Sequence, residues 1–212
     1  MKLIDLSVRD FIRDIDSASP APGGGSASAV SGAMGAALVR MVGHLTIPKK
    51  KFQKLDDSVQ KAFIEIHESV KSLQNRLVDL VDKDTDAFNA IMEAIRMPKE
   101  TEQEKKRREK ALESATIKAI DIPLSIAESA AEVMRKVDFV AQYGNRNAVS
   151  DVGVGLLMLH TALEGACLNV MINLSGLKDD AMKDDYEKRV GVLRKEARKT
   201  VENVLPSIED AL

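Results

Sequence analysis

An all-α fold, a single bundle of about six helices with some of them long and kinked, is what this sequence predicts. Apolar residues recur at three- and four-residue spacing almost throughout, and no segment shows the bounded period-two pattern of a β-branched strand. Prolines and glycines separate long helical stretches. No low-complexity linker or internal repeat interrupts residues 1–212, which read as one domain large enough to bury roughly 70% of its unfolded surface.

The first helix is expected to start at Ser7, where Asp10 completes a Ser-x-x-Asp capping pattern, and to turn Val8, Phe11, Ile12 and Ile15 inward. A turn from Ser17 to Gly25 follows. The second helix is placed from Ser26, its cap, to Thr46, with small side chains that permit close packing and with Pro48 as its stop. The third runs from Lys54 to near Met97, carrying Phe63, Val70, Leu77, Leu80, Val81, Phe88 and Ile91 on one face before Pro98 closes it. The fourth begins near Thr101 and contains Pro123, where a kink or break is expected because proline has no N–H to donate. Gly144 stops it. An apolar helix over Ser150–Leu174 and a charged amphipathic helix over Asp179–Leu205, ended by Pro206, complete the set.

Composition removes several function classes. The net charge is −2 and aromatic residues make up 3%, so neither a basic field nor a stacking platform for nucleic acid exists. The best membrane candidate, Ser26–Thr46, is interrupted by Arg40 and His44 and reads as a buried helix; no membrane partner is expected. Met1–Asp5 lacks the apolar run of a secretory signal, and the lone Cys167 supports no disulfide framework, so a cytoplasmic location is expected. His160 and Glu164 stand at ligand spacing, but no matching Glu-x-x-His supports them, and no metal is assigned. Lys105-Lys106-Arg107-Arg108 alternates with glutamates as a solvated helix face.

Four motifs carry chemistry. In Pro20-Ala21-Pro22-Gly23-Gly24-Gly25-Ser26 the prolines fix the chain, the glycines open dihedrals closed to other residues, and bare backbone can approach a ligand; a tight helix start without a ligand fits equally. It is no nucleotide P-loop, since Gly-Lys-Ser/Thr is missing, and no dinucleotide fingerprint, since no strand precedes it. Asp82, Asp84 and Asp86 alternate along the third helix and point about 200° apart per step, so they cannot share one environment. Asp84 falls with Leu77, Leu80, Val81, Phe88 and Ile91, where burial raises a carboxyl pKa toward neutrality and suits it to proton transfer. A hydrogen-bonded structural aspartate is the alternative. Gly144-Asn145-Arg146-Asn147-Ala148-Val149-Ser150-Asp151 is dense in donors and acceptors able to read a heterocycle's amide-like edge, although helix capping explains part of it. Asn169 and Asn173 stand one turn apart and need partners from another helix or a ligand.

These segments, in this order, resemble the cyclodeaminase/cyclohydrolase family of folate enzymes, which includes the C-terminal domain of formiminotransferase-cyclodeaminase. The resemblance rests on Ser19–Ser26, Gly32–Leu38, Asp82–Phe88, Gly144–Asp151 and Gly165–Val170, spread over nearly the whole chain. It implies a homodimer acting on a tetrahydrofolate one-carbon adduct without a prosthetic group. The activity implied is closure of 5-formiminotetrahydrofolate to the 5,10-methenyl form with loss of ammonia, or the ring-opening hydrolysis of that cation; a non-catalytic helical interaction module is the competing class. Asp84 matches the catalytic aspartate. Pro22, Gly23, Gly24, Gly25, Ser26, Asn145, Arg146, Asn147, Asp151 and Asn169 are the implied substrate-binding residues, with the glycine turn and the Asn145–Asp151 segment together holding the pterin. Lys49, in Lys49-Lys50-Lys51, is assigned to an acidic polyglutamate tail, although a favourable charge at a helix C-terminus explains the cluster as well.

Overall fold

A computed structural model describes residues 2–212; Met1, part of the N-terminal expectation above, lies outside the described residues. Six α-helices form the bundle: α1 Val8–Ile15, α2 Gly24–Thr46, α3 Asp57–Arg96, α4 Glu102–Tyr143, α5 Val149–Leu174 and α6 Asp180–Glu209. Short 3₁₀ turns at Leu3–Asp5, Phe52–Lys54 and Arg146–Ala148 join them, and no strand occurs among the described residues.

α5 is the central element, packed against α2, α4 and α6, with Leu156, Leu159, Ala162, Leu163, Ala166 and Cys167 fully buried. By length and composition it is also the helix apolar enough to cross a membrane, rather than α2 as expected. Neighbouring helices cover part of its apolar surface and leave Leu157, Leu168 and Ile172 exposed. α2 and α5 run antiparallel at close range: a side chain at Gly35 would collide with the Gly155 carbonyl and Leu159, and one at Gly32 would meet Leu77 and Ala162. Small residues thus set the spacing of the bundle's centre.

Local signals explain most helix ends. Ser7 accepts a hydrogen bond from the Asp10 N–H, Thr101 and Glu104 form a reciprocal capping box, and Asp179 accepts from Met182 N–H. Four expectations need correction. α2 begins at Gly24 with Gly23 as its cap, and Ser26 turns its hydroxyl into the bundle instead of capping. The apolar face of α1 does not point inward: Val8 is 79% exposed, Ile12 58%, and only Phe11 packs against the core.

Of the kink or break expected at Pro123, the break does not occur, since α4 is continuous through it. Proline leaves the carbonyl four residues earlier without its helical donor. That carbonyl, Ala119 O, instead accepts a 2.7 Å hydrogen bond from Nδ2 of Asn173 on α5. Pro206 likewise lies inside α6, where helical bonding resumes with Asp210 N–H donating to Pro206 O at 2.9 Å and Ile208 seated in the core.

Candidate active site

The burial pattern of α3 leads to Asp84. Leu77, Leu80 and Val81 fill the core, and the next inward position toward the helix C-terminus is a half-buried carboxylate. It sits against the first turn of α2. A methyl group built on Gly25 would overlap the Asp84 carboxylate, so glycine at 25 is what allows the two helices to meet there. The requirement is for space: among the described residues no glycine has positive φ, contrary to the dihedral role expected for the turn.

Ser26, fully buried, ties the two helices together. Its Oγ lies 2.9 Å from the Val81 carbonyl, 3.1 Å from Asp84 Oδ2 and 3.2 Å from Thr85 Oγ1. One hydroxyl proton serves two acceptors. With Asp84 ionised, Ser26 can donate to it; with Asp84 protonated, Ser26 can donate to Val81 O and accept from the acid. Burial pushes the Asp84 carboxyl up from its ordinary value, while the Ser26 hydroxyl and N–H pull the other way. The site therefore accommodates both protonation states, as a proton carrier requires.

Its neighbours differ. Asp82 Oδ1 accepts the Leu3 N–H at 2.6 Å and anchors the N-terminal segment, whereas Asp86 is exposed. Asn169 of α5 reaches the turn at Gly24, its Nδ2 donating to Gly165 O at 2.9 Å and lying 3.1 Å from where a side chain on Gly24 would begin. Gly23, Gly24, Gly25, Ser26, Asp84 and Asn169 are thus brought together, with Pro22 buried beside them. Thr85, in reach of Ser26, is absent from the sequence-based set; its signal was adjacency to Asp84 on the same helical turn.

The rest of that set lies elsewhere. Asn145 N–H donates to Thr46 Oγ1, at the far end of α2, and Lys49 N–H bonds the Thr46 carbonyl. At 1.5 Å per residue, α2 places this end about 31 Å from Gly25. Within one chain the glycine turn and the Asn145–Asp151 segment therefore do not hold one ligand. Asn145 accepts from Asn147 N–H to cap its 3₁₀ turn, Arg146 and Asn147 are exposed, and Asp151 lies in the first turn of α5. Asn173 is spoken for by Ala119. Glu164 is committed to α6: against burial, which pushes its carboxyl up, ion pairs with Arg194 and Arg198 hold it below the usual range.

Comparisons with known proteins identify the family. The formiminotransferase-cyclodeaminase family profile matches residues 7–191. Methenyltetrahydrofolate cyclohydrolase of Methylorubrum extorquens is 36% identical over 203 residues, covering 96% of each chain. Formimidoyltransferase-cyclodeaminase of Mus musculus is 37% identical over 98% of this chain, which spans only 38% of the mouse protein. The crystal structure of formiminotetrahydrofolate cyclodeaminase from Thermotoga maritima superposes with a TM-score of 0.76 at 26% identity, over 98% of this chain and 96% of that one. With that extent of match, the chain belongs to the formiminotransferase-cyclodeaminase family.

Proposed function

We propose that this protein is a folate one-carbon enzyme that closes 5-formiminotetrahydrofolate to 5,10-methenyltetrahydrofolate with release of ammonia. The observation that carries the reading is the half-buried Asp84 carboxyl, held by Ser26 beneath Gly25 at the start of α2. N10 attacks the carbon of the protonated formimino group, N5–CH=NH2+, whose nitrogen becomes an amino group; Asp84 takes the N10 proton and delivers it to that amino group, which leaves as ammonia as the C–N bond breaks, and the charge remains on the methenyl cation. The carboxylate then faces a delocalised positive charge, a favourable pairing in a partly desolvated site. No prosthetic group is needed for these steps.

Ring-opening hydrolysis is the second reading, favoured by the Methylorubrum relative that matches nearly end to end. There Asp84 takes a proton from the attacking water and returns it to the ring nitrogen as its bond to carbon breaks, while the hydroxyl proton of the intermediate passes to solvent as the formyl C=O forms. Purified protein offered each folate separately, with methenyl absorbance and ammonia followed together, distinguishes the two. Absence of turnover with both substrates by a folded protein overturns the enzyme reading and leaves the interaction module.

The working form is a homodimer. Met34, 53% exposed, sits near the middle of α2, and Leu45 on α2 and Leu157, Leu168 and Ile172 on α5 are exposed with it. A second copy packed antiparallel across this apolar face buries it, and brings its own Lys49 and Asn145–Asp151 segment toward the glycine turn. That arrangement supports the implied substrate set, which one chain divides between two ends. The lone Cys167, buried and with no second thiol to pair with in the sequence, supports a cytoplasmic location.

A further inference from the structure

Beside Asp84 a groove of about 360 Å³ opens between the Ser19–Ala21 segment of the turn and α3. Thr85, Phe88, Met92 and Arg96 line it from one face of α3, at spacings of three, four and four residues. The groove starts next to the reacting centre, because Thr85 Oγ1 is 3.2 Å from the Ser26 hydroxyl that touches Asp84. It ends at Arg96, an exposed guanidinium with no ion pair or hydrogen bond to any described residue. Its walls are apolar at Pro20, Phe88 and Met92, and its far end carries Arg96 with Glu93 one helical turn before it.

We propose that this groove seats the p-aminobenzoyl-glutamate arm of the folate, the aromatic ring between Pro20 and Phe88–Met92 and the glutamate carboxylate on Arg96. The proposal rests on the folate reading above. It follows from the order of groups along the substrate: a pterin on the Asn169 side, N5 and N10 at Asp84, then a flat apolar ring, then a carboxylate. The groove presents the complementary order in one direction. From Asp84 to Arg96 α3 rises about 18 Å, and a long arginine side chain leaning back toward the helix N-terminus shortens that span. Lys49 is unsuited to this task within one chain, since it stands at the far end of α2.

A larger cavity of about 890 Å³, lined by Lys99, Lys105, Arg108 and Lys178, is the competitor for the acidic end. Lys105 is already paired with Glu102 and Lys178 with Glu109, and none of Asp84, Ser26 or Thr85 lines it. Glu93, which also borders the smaller groove, opposes a bound carboxylate and supplies a variant of opposite sign.

The test compares Arg96→Ala and Glu93→Gln with the wild-type protein, using the tetrahydrofolate substrate, its pteroate counterpart lacking glutamate, and p-aminobenzoylglutamate as a binding probe. Arg96→Ala should raise KM for the glutamate-bearing substrate about tenfold with kcat nearly unchanged, as expected for a lost charge-assisted pair. Glu93→Gln should lower it, both effects should fade with salt, and the pteroate substrate should be indifferent to both. The probe should bind wild type and lose about tenfold in affinity in Arg96→Ala. Equal KM values in Arg96→Ala and wild type, or a loss shared equally by the pteroate substrate, overturn the groove while leaving the folate reading intact. Failure of the wild type to turn over any folate overturns that reading, and failure to bind the probe then overturns the groove as well.

Discussion

Gly25 and Asp84 occupy each other's space: the carboxylate fills the position where any side chain on residue 25 would begin. The first turn of α2 and the middle of α3 approach so closely only because residue 25 is glycine, and the hydroxyl of Ser26 then reaches the acid. This makes the three glycines unequal. Gly24 is exposed and faces only the tip of Asn169, while Gly25 is buried against the acid itself.

Gly25→Ala should therefore displace the acid and lower turnover by about a hundredfold, the scale of an ångström-level misplacement, at a stability cost of about 1–3 kcal/mol. Gly24→Ala should be milder on both counts, since an asparagine side chain can yield. Turnover and thermal unfolding measured on the same preparations check it; equal damage at both positions removes the distinction.

Asp84→Asn should lower turnover by about two to four orders of magnitude while binding of a folate analogue changes much less. Asp86→Asn, at an exposed position, should be near wild type. Asp82→Asn weakens the anchor of the N-terminal segment and should act on stability before turnover. Single-turnover kinetics with a binding titration decide; a folded Asp84→Asn enzyme with normal turnover ends the catalytic assignment.

The raised carboxyl of Asp84 has a signed consequence for stability. A group that binds its proton more tightly in the folded state favours folding below its unfolded value, and that contribution is lost as pH climbs toward the folded value. Above the folded value the ionised, half-buried acid is thus a liability, and Asp84→Asn should melt higher than wild type there. The difference should shrink as pH falls below the ordinary carboxylate range. Melting curves across pH measure it, and a variant less stable than wild type above the folded value contradicts it.

Asn173→Leu should destabilise by about 1–3 kcal/mol because the Ala119 carbonyl loses its donor. In a Pro123→Ala background the helix regains its own donor for that carbonyl, so the same change should be weaker. A double-mutant cycle by chemical denaturation reads the coupling, and strict additivity refutes it.

Met34→Glu should disperse the proposed homodimer by placing a charge in the middle of the apolar α2 face. Light scattering and turnover on one sample test the shared site: a monomer with full activity excludes it. Charge reversal at Lys49 should impair the polyglutamylated substrate only in the dimer.

Helical periodicity is a local property, written in residues three and four apart, and it determined the all-α class, the six helices and the face that Asp84 shares with Leu77, Leu80 and Val81. Capping chemistry is local as well: it marked Ser7, and the helix starts placed near Thr101 and Asp179 are capped by those residues in the structure. Periodicity names a face without naming what covers it. The apolar side of α1, read as inward, is largely exposed because no described element packs over Val8 and Ile12. Only tertiary packing made Gly25 the glycine that matters, through an acid from another helix. It also kept α4 continuous across Pro123, with a donor from α5 that lies more than fifty residues on. The separation of the Asn145–Asp151 segment from the glycine turn was equally hidden, since chain order says which motifs exist but the length of α2 decides which can touch one ligand.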